Sequence, residues 1–455
     1  MSNSQTFFHA LEIDQNQCIG CSHCMKSCPT EAIRIRNGKA HFLEHRCIDC
    51  GKCLETCPTK AIYTKQDDFE MIFKYKHSVA LVPAVFLGQF PSDMRVSRIY
   101  AALKDLGFKH VFEVESAAGI YAEAKHKYAQ EHADKKPLIS SFCPAILRMI
   151  QIKYPSLVDN MIPIKAPLDI SAIYALKVLQ ELNVPREEIG LFYITPCAAK
   201  IVSVKATVEE EKSIIDGVIN MDSLYNRVYK KIKEQGKNYI FPSLKTPQLS
   251  ADAILSTLTN GERRICMAKH SYAIDGIQNV MEFLEKLEND EVEDVEFLEL
   301  RACDQSCAGA LFSCDNRFLC GDRMYTRARR AAERERNGEM SRDRELDKYK
   351  DYLLEKAQTK IAAARSMMVL DNDISKALEK MEQIDKTQNI LPHIDCGLCG
   401  APTCEAFASD VVCGDVSIKD CIFYQRHLKR LGQISEEECL SRSNEIWGKD
   451  RINEK

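Results

Sequence analysis

A duplicated run of cysteines near the N-terminus constrains this chain more than any other feature of its sequence. The segment CIGCSHCMKSCPTEAI recurs as CIDCGKCLETCPTKAI, and each cysteine of the first copy has a counterpart 29 residues further on. The cysteines of the two copies are Cys18, Cys21, Cys24, Cys28, Cys47, Cys50, Cys53 and Cys57. The constant offset indicates an internal duplication, and so many thiols in so short a segment indicate a structure organised around them.

Composition and the expected cellular compartment indicate whether these thiols bind metal or form disulfides. The N-terminus lacks a basic and apolar export signal, and the longest apolar run, SVALVPAVFLGQF, is shorter than the ~20 residues of a membrane span. We therefore expect a cytoplasmic protein without membrane contact, in which the 21 cysteines bind metal rather than form disulfides. With a net charge of only -4, the chain offers no strong field for nucleic acid or an anionic membrane.

The spacing C-x2-C-x2-C-x3-C-P is typical of bacterial two-cluster ferredoxins. In that pattern three thiolates hold one [4Fe-4S] cube and the fourth crosses over to the other cube. Zinc is the alternative, because C-x2-C pairs also bind zinc, but zinc does not call for a duplicated triple run followed by C-P. The first predicted ligand set is Cys18, Cys21, Cys24 and Cys57, and the second is Cys47, Cys50, Cys53 and Cys28.

The pattern of apolar segments predicts four successive parts. Residues 1–68 form an α+β ferredoxin-like domain, and residues 74–335 form an α/β domain because apolar runs such as SVALVPAVF, KPLISSF, GLFYITPC, RRICMAKH and VEFLEL alternate with amphipathic stretches. Residues 336–390 are charge-rich and predict a helical connector, with Ile374, Leu378, Met381 and Ile384 at helical spacing after Asp373. Residues 391–455 predict a small α-helical module with its own cysteines.

The middle domain carries a second set of cysteines in the strings SSFCPA, TPCAAK and ACDQSC. Each string follows an apolar run, so each lies where a predicted strand ends, and sites in open α/β folds collect at these carboxyl ends. Spacing alone predicts a site of four thiolates, with buried structural cysteines as the alternative. The four residues are Cys143, Cys197, Cys303 and Cys307.

These three strings resemble the signatures T-S-C-C-P, M-P-C-x-x-K and C-x3-C of the iron-only (FeFe) hydrogenase family, in the same order along the chain. The resemblance implies that the four cysteines hold a [4Fe-4S] cube and that Cys307 also bridges to a two-iron unit carrying CO, cyanide and a dithiolate, together called the H-cluster. It further implies that Lys200 donates a hydrogen bond to a cyanide and that Val82, Pro83 and Ala84 line the two-iron pocket.

The chain departs from the family pattern around this site. The proton-exchanging cysteine that precedes the first ligand in active enzymes is Phe142 here, and a relay glutamate is replaced by Ser203. A phenyl ring has no exchangeable proton, and a hydroxyl cannot hold one near neutral pH. Residues 304–306 replace the Pro-Gly-Gly of the closing loop, and Arg301 stands where a methionine is usual. The resemblance with these changes implies slow turnover, with Cys307, Lys200, Phe142 and Ser203 as the positions that decide it.

A third group of cysteines follows the predicted connector. The sequence DCGLCGAPTC, with a fourth cysteine further on, resembles a four-cysteine FeS module known from sensory members of the family, and a helix is expected from Cys404 to Val412. Zinc is again the alternative. The expected ligands are Cys396, Cys399, Cys404 and Cys421, accompanied by Gly397, Gly400 and Gly414.

These expectations add up to four [4Fe-4S] clusters and one two-iron unit in a hydrogen-sensing protein. The expected partners are H2 and protons, a redox partner that is either a ferredoxin or a signalling protein, and the proteins that mature the H-cluster. The alternatives are a ferredoxin-dependent hydrogenase of ordinary metabolic role and an electron-transfer or assembly protein that lacks the two-iron unit. No role is assigned to Cys266, Cys314, Cys320, Cys413 and Cys439.

Overall fold

The computed structural model describes residues 8–205, 213–236, 248–265, 268–339, 344–360, 363–365, 367, 370, 371 and 373–449. The chain divides into two compact units, one made of Met1–Lys65 with Arg365–Lys455 and the other of Gln66–Ala364. The first unit thus joins the N-terminal cysteine repeat to the C-terminal cysteine module, two segments that the sequence places at opposite ends of the chain.

The N-terminal repeat forms two small antiparallel ribbons and two short helices. Strand β1 (Leu11–Ile13) pairs with β4 (Ile62–Thr64), and β2 (Ile33–Arg36) pairs with β3 (Lys39–Phe42). Helices α1 (His23–Ser27) and α2 (Lys52–Thr56) occupy equivalent places in the two copies and end at Cys28 and Cys57. The duplication in sequence is therefore also a duplication in structure, as the predicted ferredoxin-like α+β segment requires.

The second unit is built on two parallel sheets. One has the strand order β6-β5-β8-β9 and the other β10-β11-β7, and every pairing in both sheets is parallel. This arrangement confirms the α/β character predicted for the middle of the chain. The strands are β5 (His77–Val82), β6 (His110–Glu113), β7 (Leu138–Ile139), β8 (Ile189–Thr195), β9 (Gly217–Asn220), β10 (Ser271–Asp275) and β11 (Phe297–Arg301).

Helices connect these strands, and one helix occurs where the sequence analysis expected a strand. The run RRICMAKH, expected to be a strand, contains the end of a helix, and the strand begins only at Ser271. A short apolar run does not by itself distinguish a helix from a strand. The helices are α3 (Ala84–Gly88), α4 (Val96–Asp105), α5 (Ala118–Glu131), α6 (Pro144–Lys153), α7 (Pro167–Glu181), α8 (Ala198–Lys205), α9 (Met221–Gln235), α10 (Ala251–Leu255), α11 (Gly261–Ile265), α12 (Ile277–Glu288), α13 (Arg317–Arg336), α14 (Arg344–Lys348) and α15 (Lys350–Lys356).

The segment predicted as a helical connector is shared between the two units. Helix α15 belongs to the second unit, where Tyr349 and Leu353 are buried in its core. Helix α16 (Ile374–Ile390) belongs to the first unit and begins at Asp373, whose side chain accepts hydrogen bonds from two backbone amides of the first turn. The predicted helix start is confirmed, and Ile384 packs into the core of the C-terminal module.

The C-terminal module is helical, with α17 (Cys404–Cys413), α18 (Ile422–Arg430) and α19 (Glu436–Trp447). The Thr403 hydroxyl accepts a hydrogen bond from the Ala406 amide and so caps the start of α17, which confirms the helix expected there. Among the helices in the described part of the chain, none is both long and apolar enough to cross a membrane.

Candidate metal sites

The structure gathers the eight cysteines of the repeat into two groups, and each group takes members from both copies. Burial, followed by the neighbouring Cys21, Cys18 and Cys57, raises the pKa of the Cys24 thiol to about 12. Cys18, Cys21 and Cys24 lie in the first copy of the repeat, whereas Cys57 lies in the second. All four thiols line one small cavity.

The second group forms around Cys53. Burial raises the pKa of this thiol well above its ordinary value, and the nearby Cys50 and Cys28 add to the effect. Cys47 also lies beside Cys28 and Cys53, which raise its pKa in addition to burial. Here three thiols come from the second copy and Cys28 from the first. These are the two ligand sets predicted from the sequence. In the two-cluster ferredoxin pattern, the fourth cysteine of each copy binds the cluster held by the other copy.

The backbone around these thiols is suited to an anionic cluster. The Ala40 amide donates to Cys18 Sγ at 3.4 Å, and the Ala32 amide donates to Cys28 Sγ at 3.2 Å. Gly51 has a φ of 83°, a conformation that a residue with a Cβ rarely adopts. Amides that point at sulfur stabilise the negative charge of thiolate and sulfide, so these residues fit [4Fe-4S] clusters.

A third group of thiols lies in the C-terminal module. Cys396, Cys399, Cys404 and Cys421 line one cavity. Burial, together with the proximity of Cys421 and Cys396, raises the pKa of Cys399 to about 12. Cys404 is the first residue of α17, so the positive end of that helix faces the cavity region. Four thiols around one cavity, one of them at a helix N-terminus, fit a cluster with negative charge.

The fourth group is assembled in the second unit from the carboxyl ends of separate strands. Cys143 follows β7 and directly precedes α6, whereas Cys197 follows β8 and directly precedes α8. The pKa of Cys197 is raised to about 12, because burial and the nearby Cys307 and Cys143 outweigh the opposing effect of Lys200. Two of the thiols therefore sit at helix N-termini, where the helix dipole favours negative charge.

The loop that carries Cys303 and Cys307 follows β11 and keeps an unusual backbone. Gln305 and Ser306 have φ angles of 59° and 51°, in the left-handed region that normally favours glycine. The Gln305 amide donates to Asp275 Oδ2 at 3.0 Å, which helps to hold this conformation. The two residues thus adopt the backbone that suits glycine although neither is glycine.

Lys200 is buried beside these thiols. Burial alone would lower the pKa of its ammonium group, but the acidic groups around it, led by Tyr193 and Cys307, raise the pKa above its ordinary value. Within the described residues the ammonium has no carboxylate or carbonyl partner, and it lies 4.7 Å from the centre of the Phe142 ring. Arg301 Nη1 and Tyr193 Oη are also buried without a hydrogen-bond partner. Unpaired buried donors around a thiol group fit an anionic cofactor with acceptor ligands.

Comparison with known proteins identifies the segments that carry these groups. Residues 76–238 match the family described as the iron only hydrogenase large subunit, C-terminal domain. Residues 10–58 match a 4Fe-4S dicluster domain, and residues 391–423 match a family described as an Fe-S cluster. The second unit therefore contains a segment similar to an iron-only hydrogenase domain. The matched range includes Cys143 and Cys197 and ends before Cys303 and Cys307.

Individual relatives support the same family. The chain is 32% identical over 212 residues to the periplasmic [Fe] hydrogenase large subunit of Nitratidesulfovibrio vulgaris, which covers 42% of this chain and 50% of that protein. It is 25% identical over 200 residues to the NADP-reducing hydrogenase subunit HndD of Solidesulfovibrio fructosivorans, covering 42% of this chain and 31% of that protein. The chain thus aligns with half or less of the length of these relatives.

Among solved structures, the [FeFe]-hydrogenase HydA1 from Chlamydomonas reinhardtii aligns at a TM-score of 0.47 and 15% identity, over 64% of this chain and 95% of that chain. The hydrogenase resemblance recognised from the three cysteine strings is confirmed by the family matches. The ligand and catalytic roles of single residues remain predictions.

In the second unit two cations contact the Phe142 ring. The Arg301 guanidinium lies 3.6 Å from the ring centre on the side of a buried charge network, and Lys200 lies beside the ring as well. Arg301 Nη2 donates to Glu262 Oε2 at 2.8 Å, and the Lys125 ammonium donates to Glu262 Oε1 at 2.5 Å. All of these groups are buried.

The electrostatics of this network are set by Glu262. Burial would raise the pKa of its carboxyl group, but Lys125 and Arg301 outweigh burial and lower the pKa. The Ser140 hydroxyl donates to Glu262 at 2.7 Å and accepts from the Phe142 amide at 3.2 Å, so the network also fixes the backbone before Cys143. Sequence reasoning singled out Arg301 but missed Lys125 and Glu262, because neither lies in a recognisable motif.

The turn expected to line the two-iron pocket is held by a glutamate that the sequence analysis also missed. Val82 and Ala84 are completely buried, and the Ala84 amide donates to Glu115 Oε2 at 2.6 Å. Burial, followed by the nearby Glu113, raises the pKa of Glu115 to about 8. Pro83 lies between them at the end of β5. The turn is therefore anchored by a carboxyl group with one oxygen still unpaired.

Ser203 and the described cysteines without an assigned role differ in how far they are exposed to solvent. Ser203 is exposed on α8, and its hydroxyl donates to the Lys200 carbonyl at 3.0 Å. Cys320 is buried and accepts a hydrogen bond from the Gln89 amide group, whereas Cys314 and Cys413 are exposed. Cys439 is partly exposed in α19, and Cys266 lies outside the described residues.

Proposed function

We propose that this chain is a slow, hydrogen-sensing protein of the iron-only hydrogenase type, which passes electrons between an H-cluster and [4Fe-4S] clusters. The observation that best supports this proposal is the environment of Phe142. A phenyl ring in contact with Lys200 and Arg301 occupies the sequence position where the family has a proton-exchanging thiol, and Cys143, Cys197 and Cys307 are gathered near it.

The roles of the chain's own residues follow from these contacts. Cys143, Cys197, Cys303 and Cys307 would hold the iron of the cube, and Cys307 would also hold the two-iron unit, which supplies the metal that binds and splits hydrogen. Lys200 is oriented as a donor to an anionic ligand, since it has no other acceptor within the described residues. Phe142 blocks proton exchange at the first position from the cluster, because its ring neither donates nor accepts a proton.

Slow turnover with intact iron ligands favours sensing over bulk metabolism. A site that meets hydrogen but releases protons slowly changes its redox state without consuming much hydrogen, and a partner protein can detect that state. The partner is proposed to be a signalling protein or a ferredoxin, and maturation proteins would install the two-iron unit. A cytoplasmic location is part of this proposal.

An electron-transfer or assembly protein without the two-iron unit is the second candidate. The observation that favours it is the same Phe142 ring with Arg301 packed 3.6 Å from its centre, since bulky groups there leave less room beside Cys307. A ferredoxin-dependent hydrogenase of ordinary metabolic role is the third candidate and would require fast turnover.

Infrared spectroscopy after maturation with a synthetic two-iron cofactor tests the proposal. Bands of CO and cyanide that shift under hydrogen, with hydrogen evolution far slower than in a metabolic enzyme, are the expected result. Absence of the bands would support the candidate without the two-iron unit, and fast turnover would support the metabolic one.

We further expect roughly sixteen iron atoms per chain before maturation, four for each of the four thiol groups. Iron and sulfide analysis of anaerobically reconstituted protein measures this number. A value near twelve, with zinc present, would remove the C-terminal cluster from the proposal.

A further inference from the structure

The C-terminal cysteine module is attached to the ferredoxin-like repeat by a buried ionic contact. Arg34 donates through Nε to Asp410 Oδ2 at 2.6 Å and through Nη2 to Asp410 Oδ1 at 3.0 Å. Arg36 Nη2 donates to the same Asp410 Oδ2 at 2.8 Å. Arg34 and Asp410 are 3% and 7% exposed, so the contact forms away from water. Such a bidentate, buried pair fixes one geometry between two segments that lie far apart in the chain.

Backbone hydrogen bonds extend this contact along β2. The Ile35 amide donates to the Gly400 carbonyl at 2.9 Å, and the Gly38 amide donates to the Ile446 carbonyl at 2.9 Å. Gly400 has a φ of 74°, and a Cβ there would lie 2.3 Å from the Ile35 carbonyl oxygen. The approach of the two segments therefore requires glycine at this position.

The contact brings two of the thiol groups close together. Arg36 Nη1 donates to the carbonyls of Gly400 and Cys399, at 2.9 and 3.4 Å. Met25 is completely buried and directly follows Cys24 in the chain, and its methyl carbon would lie 3.1 Å from a Cβ built on Gly397. Gly397 in turn directly follows Cys396. The Met25 side chain thus reaches from the residue next to Cys24, in the ferredoxin-like repeat, to the residue next to Cys396, in the C-terminal module.

Charge at this contact suits two neighbouring anions. Arg34 and Arg36 face Asp410, and Arg46 lies 3.6 Å from the Glu31 carboxylate and also near Glu405, so three buried or half-buried guanidinium groups meet three carboxylates. Each iron-sulfur cluster with four thiolates is an anion, and two such anions in a medium of low dielectric repel each other. Arg36 donates to the Cys399 carbonyl, so its positive charge lies next to the C-terminal thiols, where it offsets this repulsion and favours the reduced form of a cluster.

We propose that the C-terminal four-cysteine site is a third electron-transfer station of the ferredoxin-like unit, exchanging single electrons with the site of Cys18, Cys21, Cys24 and Cys57 across Met25 and Gly397. The step moves one electron, so one site is oxidised as the other is reduced, and no bond or proton is transferred. Arg36 acts as a positioning and charge-setting residue. The inference rests on the [4Fe-4S] assignment made above but requires neither hydrogen nor the two-iron unit.

Paramagnetic resonance of the reduced full-length chain, reconstituted with iron and sulfide, tests the inference. In the unmodified protein the C-terminal cluster is expected to show spin coupling to a second cluster, which is lost in Gly400→Ala at unchanged iron content. Gly414→Ala is the matched control, because Gly414 has a φ of 84° but a Cβ there would contact nothing within 4 Å. A C-terminal signal that relaxes as an isolated cluster in the unmodified protein overturns the inference.

A second pair of variants decides the matter even where Gly400→Ala fails to hold its cluster. Arg36→Met removes the charge beside Cys399 and is expected to lower the equilibrium constant for reduction of the C-terminal cluster about tenfold, or about 59 mV for a one-electron couple. Lys429→Met removes an exposed charge from the same module and is expected to leave the potential unchanged. Equal potentials in the two variants overturn the role of Arg36 and of the contact.

These measurements separate the inference from the proposed function. Coupled clusters without CO and cyanide bands after maturation would support the electron-transfer unit and reject the hydrogen sensor. Uncoupled clusters in a protein that shows those bands would do the reverse.

Discussion

The ferredoxin-like repeat and the hydrogenase domain both gather thiols, but they surround them differently. In the repeat, thiols that lie between residues 18 and 57 are approached by backbone amides such as those of Ala32 and Ala40. In the hydrogenase domain, thiols that lie between residues 143 and 307 are surrounded by buried charged side chains, including Lys200, Arg301 and, behind Phe142, Glu262.

This difference fits the roles proposed for the two regions, which are electron transfer in the repeat and proton exchange in the hydrogenase domain. Backbone amides remain in place whatever the side chain, so a cluster surrounded by them tolerates sequence change. A proton path depends on the identity of each side chain, so under the proposed function Phe142 would interrupt it. Both regions thus gather thiols that could bind iron, and they differ in the groups that surround those thiols.

The largest expected effect comes from Cys307→Ala, which should abolish all hydrogen chemistry. Cys307 would be the one protein ligand shared by both halves of the H-cluster, whereas the repeat belongs to a separate compact unit and should retain its clusters. Hydrogen assays together with paramagnetic resonance of the reduced protein check this. Cys314→Ala, at an exposed cysteine, is the control. Loss of the ferredoxin-type signals as well would mean that the two regions are not independent.

Phe142→Cys tests whether the proton path alone limits the hydrogenase domain. A thiol would again stand beside the cluster, and general acid–base groups typically contribute ~10²–10⁴-fold, so hydrogen evolution with a strong artificial reductant should rise by up to that range. Rates must be divided by the matured fraction measured by infrared, because removing the ring also removes the contact of Arg301 at 3.6 Å.

The companion change Ser203→Glu is expected to raise the rate little by itself. The exposed position of Ser203 places a carboxylate toward water rather than toward Phe142. A double variant that exceeds the gain of Phe142→Cys would show that the two positions still act as one relay. If all variants stay as slow as the parent at full occupancy, the loop at Asp304, Gln305 and Ser306 becomes the better explanation.

Glu262→Gln tests how strongly the hydrogenase domain depends on its buried charges. Lys125 and Arg301 would lose the carboxylate that pairs them, and breaking a buried ion pair typically costs about 3–5 kcal/mol. Denaturant unfolding of the hydrogenase domain within the full chain should show a loss of this size. Glu285→Gln, in a half-exposed pair with Lys153, should cost less than about 1 kcal/mol. Equal losses in the two variants would contradict the importance of burial.

The smallest effect concerns the pH dependence of stability. Burial and then Glu113 raise the pKa of Glu115 from 4.5 to about 8. The folded state therefore binds this proton in a pH range where the unfolded state has released it, so stability should fall as pH rises from about 4.5 to about 8. Glu115→Gln should remove that part of the decline, as measured by unfolding at several pH values. An unchanged slope would show that Glu115 titrates normally.

Much of the fold and of the thiol grouping could be predicted. The repeat, the α/β character of the middle domain, the helix that starts at Cys404 and the helix after Asp373 follow from local patterns and are present. The segment RRICMAKH was wrongly expected to be a strand, since apolar content alone does not distinguish helix from strand. Ser203 was expected among the residues of the relay, but it lies on the exposed face of α8. Its distance along the chain from Cys197 does not tell which face of the helix it occupies.

The sequence by itself determined which thiols could form groups, because ligand spacing is a local property and chemistry restricts what such spacing can bind. Only the tertiary structure decided what surrounds them. The contact of Arg34 and Arg36 with Asp410 joins residues more than 370 positions apart, and the pairing of Lys125 and Arg301 with Glu262 joins separate helices and strands. Burial and distance determine the strength of a charge interaction, and neither is written in the spacing of residues along the chain.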